Sequence, residues 1–335
     1  MIFGDGSPFV VSVGNIAFGG RGKTPTVAFI ANLLIEMGER PAVISRGYGR
    51  RTVEDGVVVV SDGRRLLSDL DRAGDEPLML ARSLPGVPVL VCEQRSIAAV
   101  MARRAFGATA LVLDDGFQHR QMARDVDVVL VTSDDLRGRR VTLGRLRESP
   151  SAIARADAVI MVGEGDGSRS VENSGQITEG PASEFSTDRD PSPYVDPFRL
   201  VHHLGTPVSL AAGAPPLAPD ARVFVLAGIA GPERLTRAVR DAGFLVAGDW
   251  APGDHHRYTA ADVARLARDV EAAGAVGVLT TSKDAVRLLP LRPLPFAVYE
   301  WPLRVTIEPV DQFAAWLRER RNRARGARCA QAASA

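Results

Sequence analysis

Apolar positions in this chain fall in short blocks whose spacing switches between two periods. Phe9-Val10-Val11-Ser12-Val13-Gly14-Asn15 is a β-branched run that enters a glycine-rich turn, Gly19-Gly20-Arg21-Gly22-Lys23-Thr24-Pro25. Val27, Ile30, Leu34 and Met37 follow at helical spacing until Gly38 stops them, which predicts strand, loop and helix. Pro41 to Ser45, Val57 to Val60, Pro88 to Val91, Ala110 to Asp114, Val126 to Val131 and Ala158 to Val162 read as further strands. Ser96 to Phe106 reads as a helix with Ile97, Val100, Met101 and Arg104 on one face.

Residues 164–197 break the pattern, being rich in Gly, Ser, Asp, Glu and Pro, a composition that predicts a flexible insertion or linker. From Arg222 the alternation resumes. Val223 to Ala227, Phe244 to Ala247, Val276 to Thr280 and Phe296 to Tyr299 read as strands, with helices over Pro232 to Ala242 and Ala260 to Ala273. Strands alternating with helices predict parallel sheets joined by right-handed crossovers. The expected fold class is therefore α/β: a P-loop NTPase-like parallel-sheet domain over 1–163, a polar insertion or linker over 164–205, and a second, smaller α/β domain over 206–317. Residues 318–335, with six arginines, form a basic tail, read as a solvated end or as a segment drawn to anionic lipid headgroups.

Composition narrows the classes. The 41 basic and 40 acidic residues leave a net charge of +1, which argues against a dedicated nucleic-acid binder. Two cysteines, Cys92 and Cys329, offer neither a metal cluster nor a disulfide framework, so a reducing cytosol is expected, with Cys92 a small core residue. No apolar run approaches the roughly 20 residues a membrane-spanning helix needs, and the first residues lack a basic leader region.

The first strand, loop and helix carry the clearest chemistry. A glycine-rich loop lets several backbone N–H groups point at phosphate oxygens, and the helix N-terminus adds positive potential. Ala17, Phe18, Gly19, Gly20, Arg21, Gly22, Lys23 and Thr24 are the ATP-binding candidates, with Lys23 reaching the terminal phosphates and the Thr24 hydroxyl ligating Mg²⁺. Ala17 stands where a full Walker A motif has glycine. Ala110-Leu111-Val112-Leu113-Asp114-Asp115 ends a buried strand in two carboxylates, a Walker B pattern that makes Asp114 and Asp115 metal candidates.

Other clusters stay open on the residues alone. Arg46-Gly47-Tyr48-Gly49-Arg50 is an anion-binding turn or a surface turn, and Leu143-Gly144-Arg145-Leu146-Arg147-Glu148 meets phosphate or solvent. Asp75, in Gly74-Asp75-Glu76-Pro77, sits where a helix begins, so its plain reading is an N-cap. Asp254-His255-His256 has no third or fourth metal ligand spaced nearby and suits proton handling better.

Together these strings resemble one family, tetraacyldisaccharide 4′-kinase, over roughly residues 9–316. Asp114-Asp115-Gly116-Phe117-Gln118-His119 and the proline directly after Gly22-Lys23-Thr24 are the most specific elements, and Lys283-Asp284 completes the order. The family's loop also lacks glycine at the position of Ala17. The resemblance implies an ATP- and Mg²⁺-dependent phosphotransferase with an alcohol acceptor, acting on the 4′-hydroxyl of an acylated glucosamine disaccharide 1-phosphate to give lipid IVA in lipid A biosynthesis. It further implies that Asp75 acts as, or orients, the base, that His255 supports it, that Arg147 and Glu148 lie near the phosphates and metal, and that His119 lies near the nucleotide. A peripheral position on the cytoplasmic face of the inner membrane is also implied. Members carry an apolar or amphipathic helix before the first strand, whereas here that strand begins at about residue 9; either the chain starts late or another surface meets the lipid. The alternatives are a P-loop nucleotide-dependent switch or assembly protein and a kinase of a soluble sugar or cofactor precursor.

Overall fold

The computed structural model describes residues 7–19, 21–136, 146–163, 198–211 and 213–333. Strand β1 (Phe9–Asn15) leads into helix α1 (Lys23–Glu36) and strand β2 (Pro41–Ser45). Strand β3 (Val58–Asp62), helices α2 (Leu70–Ala73) and α3 (Asp75–Ser83), strand β4 (Pro88–Val91) and helix α4 (Arg95–Phe106) follow. The first run closes with β5 (Ala110–Asp114), β6 (Val126–Val131), α5 (Ser133–Leu136) and β7 (Ala158–Val162). Next come β8 (Phe198–Leu204), β9 (Val208–Ser209), β10 (Arg222–Leu226), α6 (Pro232–Asp241), β11 (Leu245–Trp250) and α7 (Ala260–Ala272). Strand β12 (Val278–Thr281), α8 (Ser282–Leu288), β13 (Val298–Trp301), β14 (Leu303–Glu308) and α9 (Val310–Ala333) complete the order.

Among the described residues, nine strands form the large sheet in the order β14-β8-β7-β6-β1-β5-β2-β4-β3. Pairings from β8 through β4 are parallel, as the alternation predicts. The edge strands β3 and β14 run antiparallel to their neighbours, which the parallel expectation did not include. β1 buries both faces: Phe9, Val11 and Val13 pack in one apolar cluster and Val10 in another, so its run is continuous rather than alternating. A smaller sheet, β11-β10-β12-β13-β9, is parallel except for β9.

Four sequence expectations change. Phe198–Leu204, expected within the linker, is β8 of the large sheet, paired to β7 and β14. β14 joins the same sheet although it follows the smaller one in sequence, so the chain leaves the first layer and returns to it. The basic tail is neither frayed nor free. It continues α9, whose Phe313 and Leu317 are buried, and Arg321 and Arg325 pair with Glu39 at 3.3 and 2.7 Å while Arg328 meets Asp125 at 2.7 Å. In α4 the buried face is Arg95, Ala98, Ala99 and Ala102, and Ile97 is exposed; small side chains let this helix approach the sheet closely. The expected insertion 164–197 and the start of the Leu143-Gly144-Arg145 string lie outside the described residues.

Candidate active site

Parallel strands deliver their C-terminal ends to one edge, and the candidate residues gather there. β1 pairs with β5 in the register Val13↔Asp114, and β5 pairs with β2 through Ile44↔Leu113. That register sets Asp114 beside the end of the loop strand. Gly22, in the left-handed region at φ 79°, caps α1, and a Cβ there would fall 2.9 Å from Leu200 Cδ2. Lys23 and Thr24 then open the helix. Gly20 lies outside the described residues.

The loop is held from its far side. Ala17 bridges Leu146, the Arg147 N–H donates to Ile16 O at 2.7 Å, and the Arg147 guanidinium lies 5.0 Å over the exposed Phe18 ring. Arg21 donates to the fully buried Asp135 at 2.8 Å. Asp115 adopts φ 51°, a left-handed conformation uncommon outside glycine. Its carboxylate accepts from Arg147 Nη1 at 2.6 and 2.8 Å and lies 3.5 Å from Lys23 Nζ. Burial alone would raise the Asp115 pKa, but Lys23 and Arg147 outweigh it and hold the carboxyl below its ordinary value.

Asp114 behaves oppositely. It is buried, accepts from Ser45 Oγ at 3.0 Å, and its pKa is pushed up to about 7 by burial and then by the charges of Glu76 and Asp115. Arg95, buried beneath it, donates to the Asp114 and Asp115 carbonyls at 3.3 and 3.1 Å. Asp114 Oδ1, both Asn15 side-chain heteroatoms and Glu148 Oε1 are buried without a hydrogen-bond partner among the described residues. Four unsatisfied polar atoms on one edge are what a cation and phosphate oxygens would complete. No group of three or more His, Cys, Asp or Glu side chains is arranged to cage a metal among the described residues. Mg²⁺ fits that arrangement, because it keeps waters and is held by one or two protein oxygens plus phosphates. The other Glu148 oxygen accepts from Arg155 at 2.7 Å. His119 follows the Asp114-Asp115 turn, its pKa lowered by burial and by Arg95, Arg124 and Arg46.

A second cluster lies at the junction of the two sheets, where α3 packs on α8. Gly74, at φ 87°, caps α3, so Asp75 is the first helical residue and not the N-cap its position suggested. A Cβ on Gly74 would sit 2.8 Å from Tyr48 O. Asp75 is buried. Its Oδ1 accepts from Glu76 N at 2.9 Å, and Oδ2 accepts from Arg287 Nη2 at 2.6 Å and Nε at 3.1 Å, with His255 Nδ1 3.4 Å away. Burial opposes its ionisation, yet His255, Lys283 and Arg287 hold its pKa well below the carboxylate range. Arg287, 3% exposed, also donates to Gly228 O at 2.8 Å and Asp284 at 3.2 Å, and Tyr258 Oη donates to Asp284 at 2.9 Å. His255 adopts φ 60°, stands edge-on to Tyr48 at 5.9 Å, and its N–H donates to Asp254 Oδ1 at 2.9 Å. A cavity of about 450 Å³ opens here, lined by Tyr48, Leu70, Asp75, His255, Arg257 and Arg287.

Glu76 joins the two clusters. Burial and the Asp75 charge raise its pKa, Lys283 and Lys23 pull it down, and Asp115 raises it again. Its carboxyl thus feels charges of both clusters. The sequence assigns Asp75, His255, Arg147 and Glu148 to catalysis, the loop from Ala17 to Thr24 with His119 to ATP, and Thr24, Asp114 and Asp115 to the metal, with no role for Glu76, Lys283 or Arg287; the structure groups Asp75 with His255 and Arg287, and Asp115 with Lys23 and Arg147. Glu76 and Lys283 sit inside quoted strings and were findable there; Arg287 carries no local signal at all.

The profile of the family described as tetraacyldisaccharide-1-P 4′-kinase matches residues 6–322. The tetraacyldisaccharide 4′-kinase of Syntrophus aciditrophicus is 38% identical over 312 residues, covering 91% of this chain and 82% of that protein. The like-named protein of Anaeromyxobacter sp. is 41% identical over 295 residues, covering 84% and 74%. Among solved structures, LpxK from Aquifex aeolicus in complex with ATP superposes with a TM-score of 0.70 at 26% identity, over 93% of this chain and 88% of that one.

Proposed function

The chain belongs to the tetraacyldisaccharide-1-P 4′-kinase family, and from that premise we propose how its cleft moves the γ-phosphoryl group of ATP to the 4′-hydroxyl of an acylated glucosamine disaccharide 1-phosphate. This is the phosphotransfer step of lipid A biosynthesis, with ATP and Mg²⁺ as cofactors. The observation that carries the mechanism is the buried Asp75, held by Arg287 and His255 and followed in the chain by Glu76, whose carboxyl feels both Asp75 and the phosphate-binding cation Lys23.

On the donor side, the amides of the loop from Ala17 to Thr24 bind the phosphates, and Lys23 and Arg147 neutralise the charge that spreads over the transferring group. Thr24, Asp114 and Asp115 would hold Mg²⁺, which would supply charge neutralisation to the phosphates. Lys23 and Arg147, both paired with Asp115 here, are the cations that would meet the phosphate oxygens. On the acceptor side, Asp75 receives the hydroxyl hydrogen bond and orients the oxygen in line. Its low pKa makes it a weak base, and a loose transition state asks little basicity of it, because the hydroxyl keeps its proton until late. His255 supports Asp75 through Nδ1.

The acyl chains of the acceptor call for a membrane surface. No helix among the described residues is long and apolar enough to cross a membrane, so we place the enzyme peripherally, on the cytoplasmic face of the inner membrane where ATP is available. Incubation with labelled ATP, the acylated disaccharide 1-phosphate and a soluble glucosamine disaccharide tests the reading. Label in the lipid product alone is the expected result. Transfer only to the soluble sugar would establish a soluble-sugar kinase, and hydrolysis without transfer a nucleotide switch.

A further inference from the structure

Two cations from α8, a carboxylate from α3 and the neighbouring Asp254 of its own loop surround the His255 ring. Nδ1 lies 3.4 Å from Asp75 Oδ2 and 3.4 Å from Arg287 Nη2. Nε2 lies 3.3 Å from Lys283 Nζ and 3.7 Å from Asp254 Oδ2. Lys283 is itself fixed, since Nζ donates to Asp254 Oδ1 at 3.0 Å, the oxygen that also accepts the His255 backbone N–H.

At Nδ1 an acceptor, Asp75 Oδ2, and a donor-only guanidinium, Arg287 Nη2, stand at the same 3.4 Å, so that side does not choose; the ring is decided at Nε2, where Lys283 Nζ at 3.3 Å is nearer than Asp254 Oδ2 at 3.7 Å. An ammonium group has three donors and no acceptor, so it can meet Nε2 only where Nε2 carries its lone pair. The proton of the neutral imidazole then sits on Nδ1, where Asp75 Oδ2 accepts it. With Lys283 removed the preference reverses. Nε2 would face only the Asp254 carboxylate, an acceptor that calls for Nε2–H, and the bare Nδ1 would take a hydrogen bond from Arg287 Nη2. His255 would then draw a donor away from Asp75 and turn a lone pair toward its carboxylate.

We propose that Lys283 is a positioning residue that holds neutral His255 in the Nδ1–H tautomer, so that the ring donates to Asp75. The inference rests on the reading of Asp75 and His255 as the acceptor-side pair, and it adds a residue of helix α8 to the reaction. Lys283 is in the first turn of α8, and His255 lies on the loop between β11 and α7; the pairing with Asp75 on α3 therefore depends on how the two sheets meet.

The test is two-bond proton–nitrogen correlation NMR on the full chain labelled with ¹⁵N-histidine, above about pH 8 so that the imidazoles are neutral. His255→Gln identifies the resonance. The wild type should show the Nδ1–H pattern and Lys283→Met the Nε2–H pattern, while Lys283→Arg, whose guanidinium also only donates, should keep Nδ1–H. Turnover of Lys283→Met should fall on the order of 10²-fold or more with nucleotide affinity unchanged, and Lys283→Arg should recover most of it. An Nε2–H wild type overturns the proposal, and does so even where Lys283→Met fails to fold; so does an unchanged Nδ1–H pattern in a folded Lys283→Met. The reading beneath it fails separately, through normal turnover of Asp75→Asn, which leaves the tautomer result standing.

Discussion

Arg287 and Asp75, 212 positions apart, form a buried ion pair across the junction of the two sheets, with Nη2 2.6 Å and Nε 3.1 Å from one carboxylate oxygen. The same guanidinium reaches Asp284 and the Gly228 carbonyl, so one side chain ties the candidate proton acceptor to the smaller sheet. Alignment of the acceptor side therefore depends on the packing of α3 against α8.

Removing Arg287 should leave two buried carboxylates uncompensated. Arg287→Met is expected to lose about 3–5 kcal/mol of stability, as breaking one side of a buried pair does. The sign with pH follows from Asp75, whose folded pKa is depressed. Its contribution is present above the unfolded value of about 4 and is lost as pH falls through the folded value. The deficit of Arg287→Met should be largest at neutral pH and shrink in acid. Denaturant titrations across pH measure this, and a pH-independent deficit would detach the pair from Asp75.

Lys23→Ala should cut phosphoryl transfer by about 10³-fold or more without unfolding the protein. Asp115 keeps its Arg147 partner when the lysine is gone, so no carboxylate is stranded. Turnover is measured beside a melting curve; wild-type turnover with a normal melt would remove the loop from the mechanism.

Asp114→Asn separates metal binding from folding. Because Asp114 is raised to about 7, its contribution to stability is full below the unfolded value of about 4 and is lost as pH rises through 7. Without nucleotide or metal, the asparagine variant should be at least as stable as the wild type at pH about 8 and should flatten the pH dependence between about 4 and 8. Nucleotide binding should meanwhile lose its dependence on Mg²⁺. Metal titrations that overlay the wild type would move the metal role to Asp115.

Asp75→Asn keeps shape and removes the carboxylate charge, and the rate should fall about 10²–10⁴-fold with nucleotide affinity intact. His255→Ala should lose rate in the same way, and the double variant should lose less than the product of the single losses if the two act as a unit. Near-normal turnover in Asp75→Asn would leave the residue a structural partner of Arg287, and multiplicative losses would separate His255 from it.

Local order decided what the sequence alone could determine. The β1 run, the loop through Lys23 and Thr24 and the helix behind it are contiguous, so their periodicity and glycines announce the phosphate side, and Asp114 and Asp115 announce themselves at the end of an apolar strand. Parallel α/β layering follows from the same alternation. The tertiary structure decided everything that depends on partners distant in sequence. Strands β8 and β14 read no differently from strands of the smaller sheet, because pairing partners leave no trace in a strand's own pattern. The six arginines of the last helix look solvated in sequence, yet Glu39 and Asp125, more than 200 positions earlier, hold three of them. The alanine face of α4 was hidden because hydrophobic periodicity weighs Ile97 above Ala98 and Ala102, while close packing on a sheet favours the small residues. Arg287 lies on a short helix in an ordinary amphipathic string; only the docking of α8 on α3 brings it to Asp75, and burial then makes a plain surface-type ion pair into a determinant of the site.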